Sequence, residues 1–154
     1  MQYGCQIWGQ KGNSYRNNIS TLQNKALKRM LFKPNDESTN PLYHQSGILK
    51  FCDHVTLQNF LFAYDHYHNT LPVSLQNIFI LVKNTHDHST RTSTHKYLAL
   101  PMTNTIRYGI NSIKYQSIST WNMFVNLNKN TDMSTLSKFQ CKSRIKTYFI
   151  NQYV

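Results

Sequence analysis

Seven histidines, three cysteines and six acids are the side chains of this 154-residue chain that could run metal, nucleophilic or acid–base chemistry. Their spacing suits none of the three. His66 and His68 flank Tyr67, and His86 and His88 flank Asp87. A spacing of two on a helix turns side chains apart, so the first pair makes a poor metal site. The second pair, in a loop, could face one ion, but a zinc site needs two more ligands and the sequence nominates none. Cys5, Cys52 and Cys141 are odd in number and widely spaced, with no Cys-x-x-Cys pair, so neither a disulfide framework nor a zinc ribbon is indicated. There is no Gly-x-Ser-x-Gly elbow and no glycine loop to cradle a phosphate. Asp36 and Glu37 are adjacent in a polar stretch and the other acids are isolated. The clustered carboxylates that hold ions for phosphoryl transfer are therefore missing. No catalytic residue, cofactor or metal is expected.

What the sequence does carry is positive charge. Seventeen Lys and Arg against six Asp and Glu give a net charge of +11. Abundant Asn, Lys, Ile and Tyr with scarce Ala fit an AT-rich coding sequence, yet that bias should not deplete glutamate, and Glu37 stands alone. A potential of this sign attracts phosphate polymers or anionic membranes. The bland alternative is a basic soluble protein, or a fragment whose acidic part lies elsewhere. Basic and aromatic residues interleave at Lys114, Tyr115 and Trp121, and again at Arg144, Lys146, Tyr148 and Phe149. Such groups could contact phosphates and stack bases. Trp121 and Phe149 could equally be core anchors, which is the favoured reading for Trp121.

The elements that must position these residues read as helices. The chain length suits one domain, and 40% apolar content is enough to build a core. Tyr3, Ile7 and Trp8 suggest a helix that begins as though cut from something longer, broken by Gly9 and Gly12. Asn13 to Ser20 reads as a loop. Ile19 to Phe32 is a helix with Ile19, Leu22, Ala26, Leu27, Met30 and Leu31 inward, Ser20 as a possible N-cap and Pro34 as the stop. Asn35 to Asn40 is a loop, and Pro41 begins a short turn of helix. Gly47 to His68 should be the longest helix, its broad apolar surface marking it as central and mostly covered. Leu71-Pro72 ends it, and a shorter helix follows from Pro72 to Leu81. Residues 84–96 form a polar loop and Tyr97 to Pro101 is extended. Ser112 to Phe124 is helical. A last helix runs from about Ser134 to Tyr148, with Leu136, Phe139, Ile145 and Phe149 inward. The fold class is all-α: one irregular helical domain with long polar loops, possible as a fragment of a larger protein.

No run of about 18 apolar residues occurs, so no membrane span is expected. The N-terminus lacks a signal-peptide pattern, and the cysteines fit a reducing compartment, so an intracellular site, cytoplasm or nucleus, is expected.

Several short motifs recur in a set order. They are Tyr3-Gly4, Ile7-Trp8-Gly9, Leu22 to Arg29 (Leu-Gln-Asn-Lys-Ala-Leu-Lys-Arg), Asn40-Pro41-Leu42, Ser46-Gly47-Ile48-Leu49, Leu71-Pro72, Thr90-Arg91, Tyr97 with Leu100-Pro101, Ser112-Ile113-Lys114-Tyr115, Trp121-Asn122, and the segment from Phe139 to Tyr148. In this order they resemble the region that follows the polymerase core in reverse transcriptases of jockey-like non-LTR retrotransposons. The resemblance covers nearly the whole chain. It implies a place beside RNA-directed DNA synthesis, but not the catalysis itself. The family's aromatic-x-Asp-Asp motif is absent, since Tyr64-Asp65-His66 has one aspartate and lies in an expected helix. Met123-Phe124-Val125 also stands where the family usually continues Trp-Asn with a Leu-Pro turn.

Two functions follow as expectations. The first is non-catalytic binding of RNA or DNA backbone beside a polymerase core, carried by Lys25, Lys28, Arg29, Arg91, Lys142, Arg144 and Lys146. The second is a structural or interaction module, or an inactive remnant of a transposable element, with the apolar face of Gly47 to His68 as its docking surface. Membrane-surface binding by the last helix ranks below both, because its lysines surround the helix rather than oppose a clean apolar face. The oligomeric state is left open.

Overall fold

The structure, a computed structural model, describes residues 5–9, 13–84, 96–128 and 133–154. Its helices are α1 (Cys5–Trp8), α2 (Asn13–Met30), α3 (Thr39–Ser46), α4 (Phe51–Tyr67), α5 (Ile113–Leu127) and α6 (Lys138–Asn151). Among the described residues there is no sheet. Leu81 and Leu98 form an isolated antiparallel bridge, flanked by Val82 N–H to Tyr97 O at 2.9 Å and Ala99 N–H to Ile80 O at 2.8 Å. The all-α expectation is met.

α4 is the centre, as its apolar breadth predicts. It packs most extensively on α5, and also on α6, α2 and α1. Leu57, Phe60, Leu61, Ala63 and Tyr64 meet Ile118, Trp121 and Phe124 of α5 and Cys141, Ile145 and Phe149 of α6 in one cluster. Phe60 stacks on Trp121 with ring centroids 5.2 Å apart, and Tyr67 lies on Trp121 at 5.4 Å. Contacts of this kind add about 0.5–1.5 kcal/mol each beyond area burial. The face of α4 expected to be a docking surface is thus consumed inside the chain.

Local chemistry sets the ends. α5 starts at Ser112, whose side chain accepts from Tyr115 N–H, and α6 starts with a capping box in which Ser137 and Gln140 satisfy each other's backbone N–H groups. The sequence places that start three residues early, at Ser134. α4 begins at Phe51 rather than Gly47, because Gly47 ends α3 in the left-handed conformation at φ 62°. α2 closes with the same device on a non-glycine residue. Phe32 sits at φ 52°, its N–H reaches Arg29 O at 3.3 Å, and Lys33 N–H reaches Lys28 O at 2.9 Å, which is a Schellman motif.

Four further expectations fail. Asn13 to Ser20 is helix, not loop: α2 begins at Asn13, and Arg16 Nε ties it back to Gly9 O at 2.8 Å. Pro72 to Leu81 holds one 3-10 turn, Val73–Leu75, instead of a helix. The inward face of α2 is also different. Leu27 is buried with Ile19, Gln23 and Leu31 in its row, while Leu22 and Met30 are exposed. Phe139, expected inward on α6, is 80% exposed.

Candidate functional site

Five of the seven nominated cations are open to solvent: Lys25 and Arg29 on α2, and Lys142, Arg144 and Lys146 on α6. Lys25 and Arg29 are one turn apart and share a side of α2. Lys28 donates to the Asn35 carbonyl, so it serves the helix end. On α6, Lys142 and Lys146 are likewise one turn apart. Lys138 precedes them by another turn, making a three-lysine ridge whose first member is not among the seven nominated cations. Arg144, two residues from each of its neighbours in sequence, projects from a different side of the helix. Arg91 lies outside the described residues.

Carboxylates barely oppose this charge. Among the described residues the ion pairs are Lys33–Glu37 at 3.2 Å and Lys138–Asp65 at 2.7 Å. Neither uses Lys25, Arg29, Lys142, Arg144 or Lys146. The field of Lys142 reaches His54 on α4, whose pKa is lowered chiefly by burial and then by that lysine. His66, at the other end of α4, is also lowered by burial, offset in part by a hydrogen bond with the Phe79 backbone.

Two of the aromatic residues do not join the cations. Trp121 and Phe149 are buried, and Trp121 Nε1 donates to Lys96 O at 3.0 Å. Asn122 completes that anchor. Its amide donates to Leu98 O and its oxygen accepts from Leu98 N–H, both at 2.9 Å. The Trp-Asn pair therefore pins residues 96–98 against α5, and these two rings are unavailable for base stacking.

The acids stay dispersed. Asp53 and Asp65 sit at opposite ends of α4, about 18 Å apart along the axis at 1.5 Å per residue. Among the described residues no three His, Cys, Asp or Glu side chains could hold a metal ion. The His86–Asp87–His88 triplet lies outside those residues.

A second feature comes from segments that no sequence pattern links. A pocket of about 500 Å³ opens between α2, the start of α3, the start of α4 and the turn after α6. Ser20, Gln23, Asn24, Thr39, Asn40, Lys50, Asp53 and Gln152 supply its polar wall, with Tyr43, Cys52 and Tyr153 beside them. Gln23 holds the first turn of α4 in both senses, donating to Leu49 O and accepting from Phe51 N–H, each at 2.8 Å. The Tyr153 hydroxyl accepts from Lys50 N–H at 3.1 Å and donates to Asp53 Oδ2 at 2.5 Å. Lys50 Nζ lies 4.3 Å from the centre of the Tyr153 ring and donates to Asn40 Oδ1 at 2.8 Å. Burial raises the pKa of Asp53, while the Tyr153 hydrogen bond and Lys50 pull it back. Burial also raises Tyr43 to about 12.

No family model matches the chain, and neither a curated protein nor a solved structure matches it. No helix among the described residues is long and apolar enough to cross a membrane.

Proposed function

We propose that the chain is a non-catalytic module that binds the phosphate backbone of RNA or DNA, working beside the polymerase core of a retrotransposon reverse transcriptase of the kind its motifs resemble. One observation carries the reading. The helix-borne cations Lys25, Arg29, Lys142, Arg144 and Lys146 point to solvent without a carboxylate partner, in a chain of net charge +11. Contacts of this type position a strand and do not read its bases, so binding should be weakly sequence-selective and strongly salt-dependent.

Titration of labelled RNA and DNA across a salt series tests it. On single strands the slope of log affinity against log salt falls by about 0.7 for each phosphate neutralised. Lys142→Gln with Lys146→Gln should therefore flatten the slope by about 1–2 and weaken every sequence alike. An affinity indifferent to salt contradicts the reading.

A structural or interaction module, or an inactive remnant, is the second reading. Tyr15, Leu22 and Met30 of α2 are each more than 60% exposed or at that value, and an apolar strip beside Lys25 and Arg29 favours a protein partner over a bare polyanion.

A further inference from the structure

The pocket at the start of α4 differs from an ordinary ligand cavity, which is mostly apolar with a few placed polar groups. Its wall is more polar than apolar, with Tyr43, Cys52 and Tyr153 among otherwise polar and charged side chains. Its charges also cancel, with Lys50 as the one cation and Asp53 as the one acid among its lining residues.

The hydrogen bonds already made there decide what is left to offer. Asn24 Oδ1 accepts from the Tyr43 hydroxyl at 2.8 Å, and Asn40 Oδ1 accepts from Lys50 Nζ at 2.8 Å. Both amides are thereby oriented with their –NH2 ends uncommitted among the described residues. Asp53 gives Oδ2 to Tyr153 and keeps Oδ1 as an acceptor. Lys50 spends one proton on Asn40 and retains others while its ammonium is held over the Tyr153 ring. The pocket thus offers fixed donors beside a fixed acceptor, locked by their own partners before any ligand arrives. Such prior locking lowers the ordering cost of binding.

We propose that this pocket binds a vicinal diol, the adjacent hydroxyls of a sugar ring. A hydroxyl donates one hydrogen bond and accepts others, so two neighbouring hydroxyls use a carboxylate and amide donors together. An inorganic anion would face the Asp53 carboxylate, and an ammonium would face Lys50. A neutral diol opposes neither. Two sources share this chemistry: a free sugar, and the ribose at the 3′ end of an RNA. The proposal does not depend on backbone binding by α2 and α6.

Cys52 is a built-in reporter. It lines the pocket and is exposed, whereas Cys5 and Cys141 are buried, and burial pushes the Cys141 thiol up to about 11. The wild-type chain is treated with iodoacetamide, and alkylation of Cys52 is followed by mass spectrometry. The probes are methyl ribofuranoside, its 2-deoxy counterpart, an RNA oligonucleotide, and the same RNA after periodate has opened its terminal diol. The expected result is saturable slowing by the riboside, with the 2-deoxy compound about tenfold weaker, the value of one hydrogen bond to a charged group. Slowing by RNA that periodate abolishes assigns the diol to an RNA end. Slowing by the riboside alone assigns it to a free sugar. Equal slowing by riboside and deoxyriboside overturns the proposal, as does no slowing by any probe. Asn40→Ala, an exposed position whose side chain bonds only Lys50 here, should raise the half-saturating riboside concentration about tenfold. An unchanged value, with a melting temperature equal to wild type, also overturns it. Failure here leaves the salt titration untouched, so the two readings fall separately.

Discussion

The two ends of α4 are held by different physics. At the C-terminal half, Phe60 and Tyr67 press on Trp121, and Phe60 also on Phe124, and what holds them is buried aromatic area. At the N-terminal end, Gln23 and Tyr153 hold the first turn by directional hydrogen bonds. Area tolerates small displacements, whereas a hydrogen bond fixes position but covers little surface. The aromatic end is therefore filled, and the polar end keeps a cavity with oriented side chains around it.

The comparison breaks most visibly at the aromatic end. Trp121→Ala should cost about 3–5 kcal/mol, because the wholly buried indole leaves a void against Phe60 and Tyr67. Chemical denaturation measures it, and a loss under about 1 kcal/mol would mean that the stack is not the keystone. Gln23→Ala should cost less, about 1–3 kcal/mol, since it strips partners from Leu49 O and Phe51 N–H at the helix start. Its effect on the pocket should exceed its effect on stability, seen as faster Cys52 alkylation.

Acid probes both ends together. His54 and His66 have pKa values lowered from the ordinary 6.5 by burial. The unfolded chain then binds more protons below 6.5, so stability from these two groups is present at neutral pH and drains as pH falls through 6.5 toward their folded values. Asp53 works in the opposite sense. Its raised pKa lets the folded state keep a proton longer, so acidification through the carboxylate range relieves a cost there. Thermal melting in a pH series should show a fall between neutrality and mildly acid conditions. His54→Gln should flatten it, and a profile unchanged by that substitution would remove His54 as a source. The smallest effect belongs to Lys138→Ala. Its pair with Asp65 is solvent-exposed, so about 0–1 kcal/mol is expected, while salt-dependent strand binding should weaken if the lysine ridge is the contact.

Much of the fold was legible in the sequence, and the failures have identifiable causes. Apolar spacing located the bodies of α2, α4, α5 and α6, because burial repeats at the helical period. It chose the wrong face of α2 because two rows overlap there. The row Ile19, Gln23, Leu27, Leu31 contains a glutamine, and that residue belongs inside only because its amide caps a helix far along the chain. No local pattern records a tertiary hydrogen bond. The polar start of α2 was missed for a related reason: Asn13 to Asn18 carries little apolar signal, and Arg16 is tied to Gly9 through a contact outside the helix. Among the candidate cations, spacing could not show that Lys28 serves the α2 terminus. The pocket was not visible at all, since its wall is assembled from four separate stretches.

Phe32 carries one more consequence. A left-handed turn that glycine adopts freely costs an L-residue with a side chain about 1–2 kcal/mol, and this ring, being 96% exposed, gains almost nothing from packing in return. The chain thus holds an unspent reserve at that point: a glycine or asparagine there would ease the backbone without removing a contact, and drift in the gene can reach it at no cost to the interior.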